Sequence, residues 1–510
     1  MNLRAASLAT VRRWPLVLAA AATLILSWPA PFMAQQAESS EELARRWYDS
    51  GLRFLRDGRP GEALKDLQRV VDVYPTSSVA DDALLRIAEY QLTGNGDARA
   101  ARTVVEPLIA KYPSADAAPM AYVLAGRIDL AVSETADGIE QALANFERVR
   151  TLFPRAMAVA ASLTYAGDGH RIARRAPEAA RMYRRAAAEY PRAPWTAPAA
   201  RGLAAAEATM GEPTQALEAL AQLQQTFPGT REAGTARDLA TILYRLHLRA
   251  PTVPAFAPTQ RTIACVGGRP ATVDALAVEP DGAVVVLQRD GLTRFDADGR
   301  VRDSLRAADA RALLPGVDGR LLVATRSGLQ PMGGTFLPLS IPRPDGAARP
   351  LDDVRAVARS RMGQLLVADG GTKSIARFEA DGRYVGVFAS IDALRVAVND
   401  IGLGAALDRS GRSVAVLDAA GKPIGRVGGG GGVTLQQAVD IAWDALGYLY
   451  VLDREAGAVA VFSPELQPVT VYAVAQRLPE SFRRATAFAV DGAGRLFIYD
   501  DRAKSIRVHQ

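Results

Sequence analysis

An aromatic residue followed by proline recurs five times in the first half of this chain, and that recurrence constrains the fold more than any other feature. The pairs are Tyr74-Pro75, Tyr112-Pro113, Phe153-Pro154, Tyr190-Pro191 and Phe227-Pro228, spaced by 38, 41, 37 and 37 residues. Twelve residues before each proline stands alanine: Ala63, Ala101, Ala142, Ala179 and Ala216. Eight before it comes a bulky apolar residue, namely Leu67, Val105, Phe146, Tyr183 or Leu220. Five before it comes Val70, Leu108, Val149, Ala186 or Leu223. Offsets of 12, 8, 5 and 1 fall on one face of a 3.6-residue helix. The alanine marks where a partner helix crosses closely. The proline, which lacks an N–H and clashes with the preceding turn, stops the helix. A period of 37–41 residues means stacked helical hairpins. Residues 230–249 then read as a final capping helix that covers the last apolar face.

In the first unit Trp47, Gly51, Phe54, Ala63, Leu67, Val70 and Pro75 stand at the signature positions of the tetratricopeptide (TPR) repeat, and the pattern resembles it. Gly51 allows close helix approach and Trp47 wedges between helices. Units of this length ending in Tyr-Pro are similar to those of bacterial outer-membrane assembly lipoproteins and cell-division coordinators. The lipid-anchoring cysteine of the former is missing.

Pro251, Pro254 and Pro258 interrupt helical periodicity and predict a stiff linker over 251–260. Beyond it the pattern changes to short β-rich runs punctuated by Asp and Gly. The third copy runs Val354–Ala358, Gly363, Leu365–Ala368, Asp369, Ile375–Phe378 and Asp381-Gly382. Units opening near Val439 and Ala487 repeat it, and weaker copies open near Val273, Arg311 and Leu394. Six units of this size predict four-stranded propeller blades. The pattern resembles NHL repeats, which implies a six-bladed propeller over 261–510. The sixth unit ends after its third strand, so Arg261–Val266 is expected to supply the missing strand and close the ring. Cys265, the single cysteine, lies on that strand as a buried thiol and excludes a disulfide-stapled scaffold. The fold class is thus an N-terminal all-α TPR-like superhelix over 35–250 followed by an all-β six-bladed propeller.

Residues 1–34 carry Arg4, Arg12, Arg13 and no acid ahead of an apolar core, Leu16 to Trp28. That is a signal peptide or an uncleaved signal anchor, and it places the chain in the periplasm or cell envelope. The net charge of +6 disperses when divided by segment: residues 35–250 hold 27 basic and 27 acidic side chains, and the remainder 31 and 28. No segment has the concentrated basic charge that nucleic-acid phosphates require.

Candidates for chemistry are few. His170, His247 and His509 are scattered, with no metal-ligand spacing. Asn399 and Asp400 would be the nucleus of a propeller-loop metal site. Asp369, Asp408, Asp453 and Asp500 recur after each second strand, where an Asp caps its own turn. Gly428–Gly432 lacks the Lys-Ser/Thr of a phosphate loop and reads as a blade connection. No catalytic residue, cofactor or metal is expected. One charge cluster stands out: Arg171, Arg174 and Arg175 at i, i+3, i+4, and Arg181, Arg184 and Arg185 in the same spacing. Each triad is expected on one helix face, as a docking patch for an anionic partner or as a solvated surface. The expected function is a non-enzymatic protein-protein interaction scaffold of the bacterial envelope, binding proteins or peptides through the TPR surface and the propeller face. Two alternatives stay open: a metal-dependent propeller hydrolase or lyase, and binding of cell-wall glycan. Membrane contact is expected only through an uncleaved N-terminal anchor.

Overall fold

A computed structural model describes residues 31–133, 135–250, 252–264, 273–279, 281–288, 290–315, 321–332, 334–343, 347–429, 432–473 and 482–510. Eleven helices come first among them: α1 (Pro31–Arg56), α2 (Pro60–Val73), α3 (Ala80–Thr93), α4 (Ala98–Lys111), α5 (Ala118–Val132) and α6 (Ala136–Leu152). The series continues with α7 (Ala158–Ile172), α8 (Ala176–Glu189), α9 (Thr196–Thr209), α10 (Pro213–Thr226) and α11 (Arg231–Leu243). They pair as TPR-like antiparallel hairpins, α1 with α2 through α9 with α10. The fifteen residues at the 12, 8 and 5 offsets are all at most 1% exposed, so the periodicity is the core itself. Each of α2, α4, α6, α8 and α10 ends two residues before its proline. The aromatic between them takes the same backbone every time, φ −125 to −134 and ψ 50 to 57, outside the α region that a following proline disfavours.

Glycine sets the helix spacing. A Cβ on Gly51 would stand 2.7 Å from Leu67 Cγ, and one on Gly126 or Gly167 would stand 2.5 Å from the rings of Phe146 and Tyr183. The bulky residues of α2, α6 and α8 therefore need a bare backbone opposite. First helices of neighbouring hairpins (α3, α5, α7, α9, α11) also pack on one another, so they line the inside of the curve.

Among the described residues the propeller has six four-stranded sheets, its blades, and a two-stranded ribbon pairing Ser340–Pro342 with Ala348–Pro350 between the second and third. Five blades span 273–306, 310–338, 354–389, 393–427 and 438–473, with strands in sequential order from the axis outwards. The sixth combines three strands from 485–509 with β1 (Pro258–Ala264), which pairs antiparallel with the last strand through Thr262↔Arg507, Ile263↔Ile506 and Ala264↔Ser505. The closure expected from the orphan strand is therefore present, and it begins three residues earlier than the sequence suggests. It is extended by paired hydrogen bonds between Ala257 and Gln510. Cys265 lies outside the described residues. In every blade the inner strand slips register between its first and third residues, a bulge repeated six times around the channel rim.

The linker is not a free tether. Phe256 is 1% exposed and belongs to an apolar core that joins Leu239, Ile242 and Leu243 of α11 to Leu446, Tyr448 and Tyr450 of blade five and Phe488 and Ile498 of blade six. The last helix caps the array by packing on the propeller. An amphipathic face that ends an array is satisfied as well by a neighbouring domain as by a polar capping surface.

Candidate functional site

The array meets the propeller on the loops that join first to second and third to fourth strands of blades three to six. Besides the apolar core at α11, the contacts are polar. Arg245 donates to Gly494 O at 2.6 Å, and His247 Nε2 and the Tyr448 hydroxyl lie 2.7 Å apart. Arg361, from the first turn of blade three, donates to the carbonyls of Leu130 and, at 2.8 Å, Ser133 at the end of α5. Arg171 at the end of α7 pairs with Asp400 of blade four at 3.0 Å.

Between these contacts runs a cleft of about 520 Å³. One wall is the inner face of the array, with Arg127 on α5, Tyr165 and Asp168 on α7, and Arg201 on α9. The other is the propeller, with Arg361, Asp400, Ile401 and Ala445. The Arg127 guanidinium lies over the Tyr165 ring, 4.7 Å from its centroid, which fixes both. Burial pushes the Asp168 carboxyl above its ordinary range, although the Tyr183 hydroxyl donates to it at 2.5 Å. Burial likewise raises the Tyr165 phenol. The exposed Arg201 guanidinium acts electrostatically on the Asp168 carboxylate, while Arg127 is half-buried against Tyr165. Nearer the N-terminus, a second groove of about 610 Å³ lies between α1 and α3 and includes Arg53, Arg56, Arg86, Glu89 and Tyr90.

The six arginines singled out from the sequence do not form one surface. Arg171 ends α7, but Arg174 sits in the turn with φ +59 and Arg175 precedes α8, so the first triad straddles a helix end rather than sharing a face. Arg174 is 3.8 Å from Glu465 of blade five, and Arg175 is 2.5 Å from Glu140 on α6. Arg184 pairs with Glu207 of α9, which is 1% exposed, and Arg185 pairs with Glu189 at 2.9 Å. Arg181 is exposed on α8. Five of the six thus face carboxylates of their own chain.

The remaining candidates resolve into structural roles. Asn399 Oδ1 accepts from Leu403 N at 2.9 Å and shapes its turn, while Asp400 is taken up by Arg171. Asp369, Asp408, Asp453 and Asp500 accept backbone N–H bonds from their own turns, at 2.9 Å from Thr372 and 3.0 Å from Ala456 for example. His509 is buried against Tyr472 and Phe482. Gly428, Gly429 and Gly432, all with positive φ, connect blades four and five. Among the described residues, a side chain reaches across the channel. Arg395 of blade four donates to Asp274 O of blade one at 3.1 Å, directly opposite, and pairs with Asp440 of blade five at 3.3 Å. Asp440 in turn accepts from Phe488 N of blade six. Among the described residues no group of three His, Cys, Asp or Glu is placed to hold a metal ion, and no helix is long and apolar enough to cross a membrane.

No family model and no curated protein matches the chain. Solved structures match each half separately. A streptogramin B lyase is 12% identical, covering 50% of this chain and 97% of its own, with a TM-score of 0.37. A gluconolactonase from Xanthomonas campestris is 15% identical over 49% of this chain and 89% of its own, with a TM-score of 0.36. A thermophilic TPR protein from Thermus thermophilus is 20% identical over 38% of this chain and 98% of its own, with a TM-score of 0.33. By its own architecture the chain is a TPR-like helical array joined to a six-bladed propeller.

Proposed function

We propose that the protein is a non-enzymatic scaffold of the bacterial cell envelope that holds protein or peptide partners in the cleft its two halves build together. The observation that carries this reading is the shared wall: the inner face of the array, the surface a helical repeat curves around a partner, is closed on one side by propeller loops. A partner seated there contacts both halves at once. The channel favours binding over chemistry on this reading, because among the described residues it holds Arg395, bonded across it to Asp274 O and paired with Asp440, and no group of three His, Cys, Asp or Glu placed to hold a metal ion. A glycan-binding reading of the arginine cluster has less support, since five of the six arginines are paired within the chain.

Deleting either half is a poor test, because each would expose the core they share. Site-specific photo-crosslinking in cells is better suited. A crosslinker at position 201, in the cleft, is expected to capture defined envelope proteins, while one at position 502, on the far face of the propeller, captures none of the same set. Absence of adducts at both positions would count against the scaffold.

A further inference from the structure

The propeller face turned away from the array carries its charge in two layers. The rim of that face is made of the turns that join second to third strands. In blades four and five the second strand ends on an aspartate followed by an arginine, Asp408-Arg409 and Asp453-Arg454, and in blade six Asp500 is followed by Arg502 in the same turn. The aspartates form the inner layer. Asp453 is 2% exposed and accepts from Gln436 N and Ala456 N, while Asp408 accepts from Ser413 N and Asp500 from Ala503 N. These carboxylates are taken up by backbone N–H groups of the rim. The arginines form the outer layer. Arg409, Arg412 and Arg502 are exposed and Arg454 is half-buried, and exposed Arg483 and Arg484 join them from the segment that leads into blade six. Both lie on the same face. A Cβ on Gly457, in the blade-five turn, would stand 3.4 Å from Arg483 Cγ, and Arg484 O accepts from Asp501 N at 3.0 Å.

This patch differs from the arginine cluster of α7 and α8, where five of six side chains face carboxylates of their own chain. Here, among the described residues, one of the six forms an ion pair, Arg409 with Asp392 at 3.9 Å. Arg454 donates instead to the Gln437 side chain at 2.9 Å, and Glu455 is the one exposed carboxylate in the three turns. Guanidinium groups gathered on one face repel one another, and a facing layer of anions offsets that cost. They stand on the turn tips of adjacent blades and not along a groove. Such an array matches a broad layer of mobile anionic headgroups better than one chain of fixed charge spacing. Arginine meets the phosphodiester of a headgroup with paired N–H donors.

We propose that this face of the propeller docks reversibly on an anionic phospholipid bilayer, with the six arginines in the headgroup layer. The contact is separate from the N-terminal segment and does not depend on the reading of the cleft. Because the array is seated on the opposite face, a docked molecule turns its cleft away from the bilayer, open to partners.

The test is co-sedimentation of the full chain with vesicles holding about one-third phosphatidylglycerol, against vesicles of phosphatidylcholine alone. Binding to the anionic vesicles is expected to be at least about tenfold tighter, and to fall by about tenfold or more between about 0.1 M and about 0.5 M salt. Arg412→Gln, Arg484→Gln and Arg502→Gln together should weaken it by about a hundredfold, each surface arginine being worth about fivefold. All three side chains are exposed, so the thermal melt of this variant should match the parent. Arg412→Lys with Arg484→Lys and Arg502→Lys, which keeps the charge, should retain most of the binding, and Arg181→Gln on α8 should retain all of it. Equal binding to neutral vesicles, or a glutamine triple within about threefold of the parent, overturns the proposal. So does tighter binding of the same face to a short DNA duplex than to the vesicles, which would mark a site for a phosphate polymer.

Discussion

Gly494 offers a test of whether the array is seated on the propeller. It lies in the turn between the first two strands of blade six with φ +67, and a Cβ there would stand 2.7 Å from Cγ1 and 3.3 Å from Cδ1 of Ile242 on α11. Gly363 occupies the same turn of blade three with φ +82, and a Cβ there would meet nothing within 4 Å. Alanine at either position carries the same left-handed backbone cost, about 1–2 kcal/mol. Only at position 494 does the new methyl also push into a filled core, where Ile242 is 1% exposed. Overpacking of that kind costs about 1–3 kcal/mol more. The carbonyl of Gly494 would shift as well, loosening its 2.6 Å bond from Arg245. Urea denaturation followed by tryptophan fluorescence should therefore place Gly363→Ala about 1–2 kcal/mol and Gly494→Ala about 2–5 kcal/mol below the parent. Proteolysis of the linker should accelerate only in the second. Equal losses and unchanged linker cleavage would show that α11 does not pack on blade six.

Other expectations follow from single contacts. Ile263, 1% exposed on the closing strand opposite Ile506, should cost about 2–4 kcal/mol when replaced by alanine, read as a lowered denaturation midpoint; a loss below about 0.5 kcal/mol would mean the ring is not closed by β1. Arg184→Ala should destabilise by about 2–3 kcal/mol because it strands the buried Glu207 carboxylate, whereas Arg181→Ala should be nearly neutral in the same melt; the reverse order would contradict the pairing. Burial pushes the Asp444 carboxyl up to about 6, above its unfolded value of 3.8, so protonation favours the folded state. Stability contributed by this group should rise as pH falls through about 6 and level off below about 4, by up to roughly 3 kcal/mol, and Asp444→Asn should remove that rise; an identical pH profile in the variant would refute it.

Much of the architecture was legible because both halves repeat. Five copies of one spacing expose a helix face that no single copy would, and the sixth blade's missing strand shows only when the other five define what a whole blade contains. The six-bladed closure and the turn-capping role of Asp369 and Asp453 followed from the same recurrence. What repetition cannot report is where the two halves meet. Residues 230–249 carry an apolar face that fits a solvent-facing cap, and nothing local distinguishes that from a face covered by Leu446 and Tyr448. The arginine cluster is conspicuous in the sequence for its spacing, yet two of its partners, Asp400 and Glu465, lie more than two hundred residues away, and Glu207 lies on the next helix. Helical spacing also misleads at Arg174, where the chain turns with positive φ between α7 and α8. The cleft residues Arg127, Tyr165 and Arg201 escape a reading of the sequence because each is unremarkable alone. A signal is present, since all three fall on the inner face of first helices, but the recurrence that defines the repeat sits on the second helices.

A shared cleft requires the array and the propeller to form one body, and an interdomain distance measures that directly. Nitroxide labels at positions 181 on α8 and 409 in blade four, read by double electron–electron resonance on the full chain, should give one narrow distance distribution. It should be the same at about 0.15 M and about 1 M salt, because the apolar core around Ile242 and Phe256 is insensitive to screening even where the arginine pairs are weakened. A broad distribution, or one that widens as salt rises, would contradict a fixed cleft and return the propeller to the end of a tether.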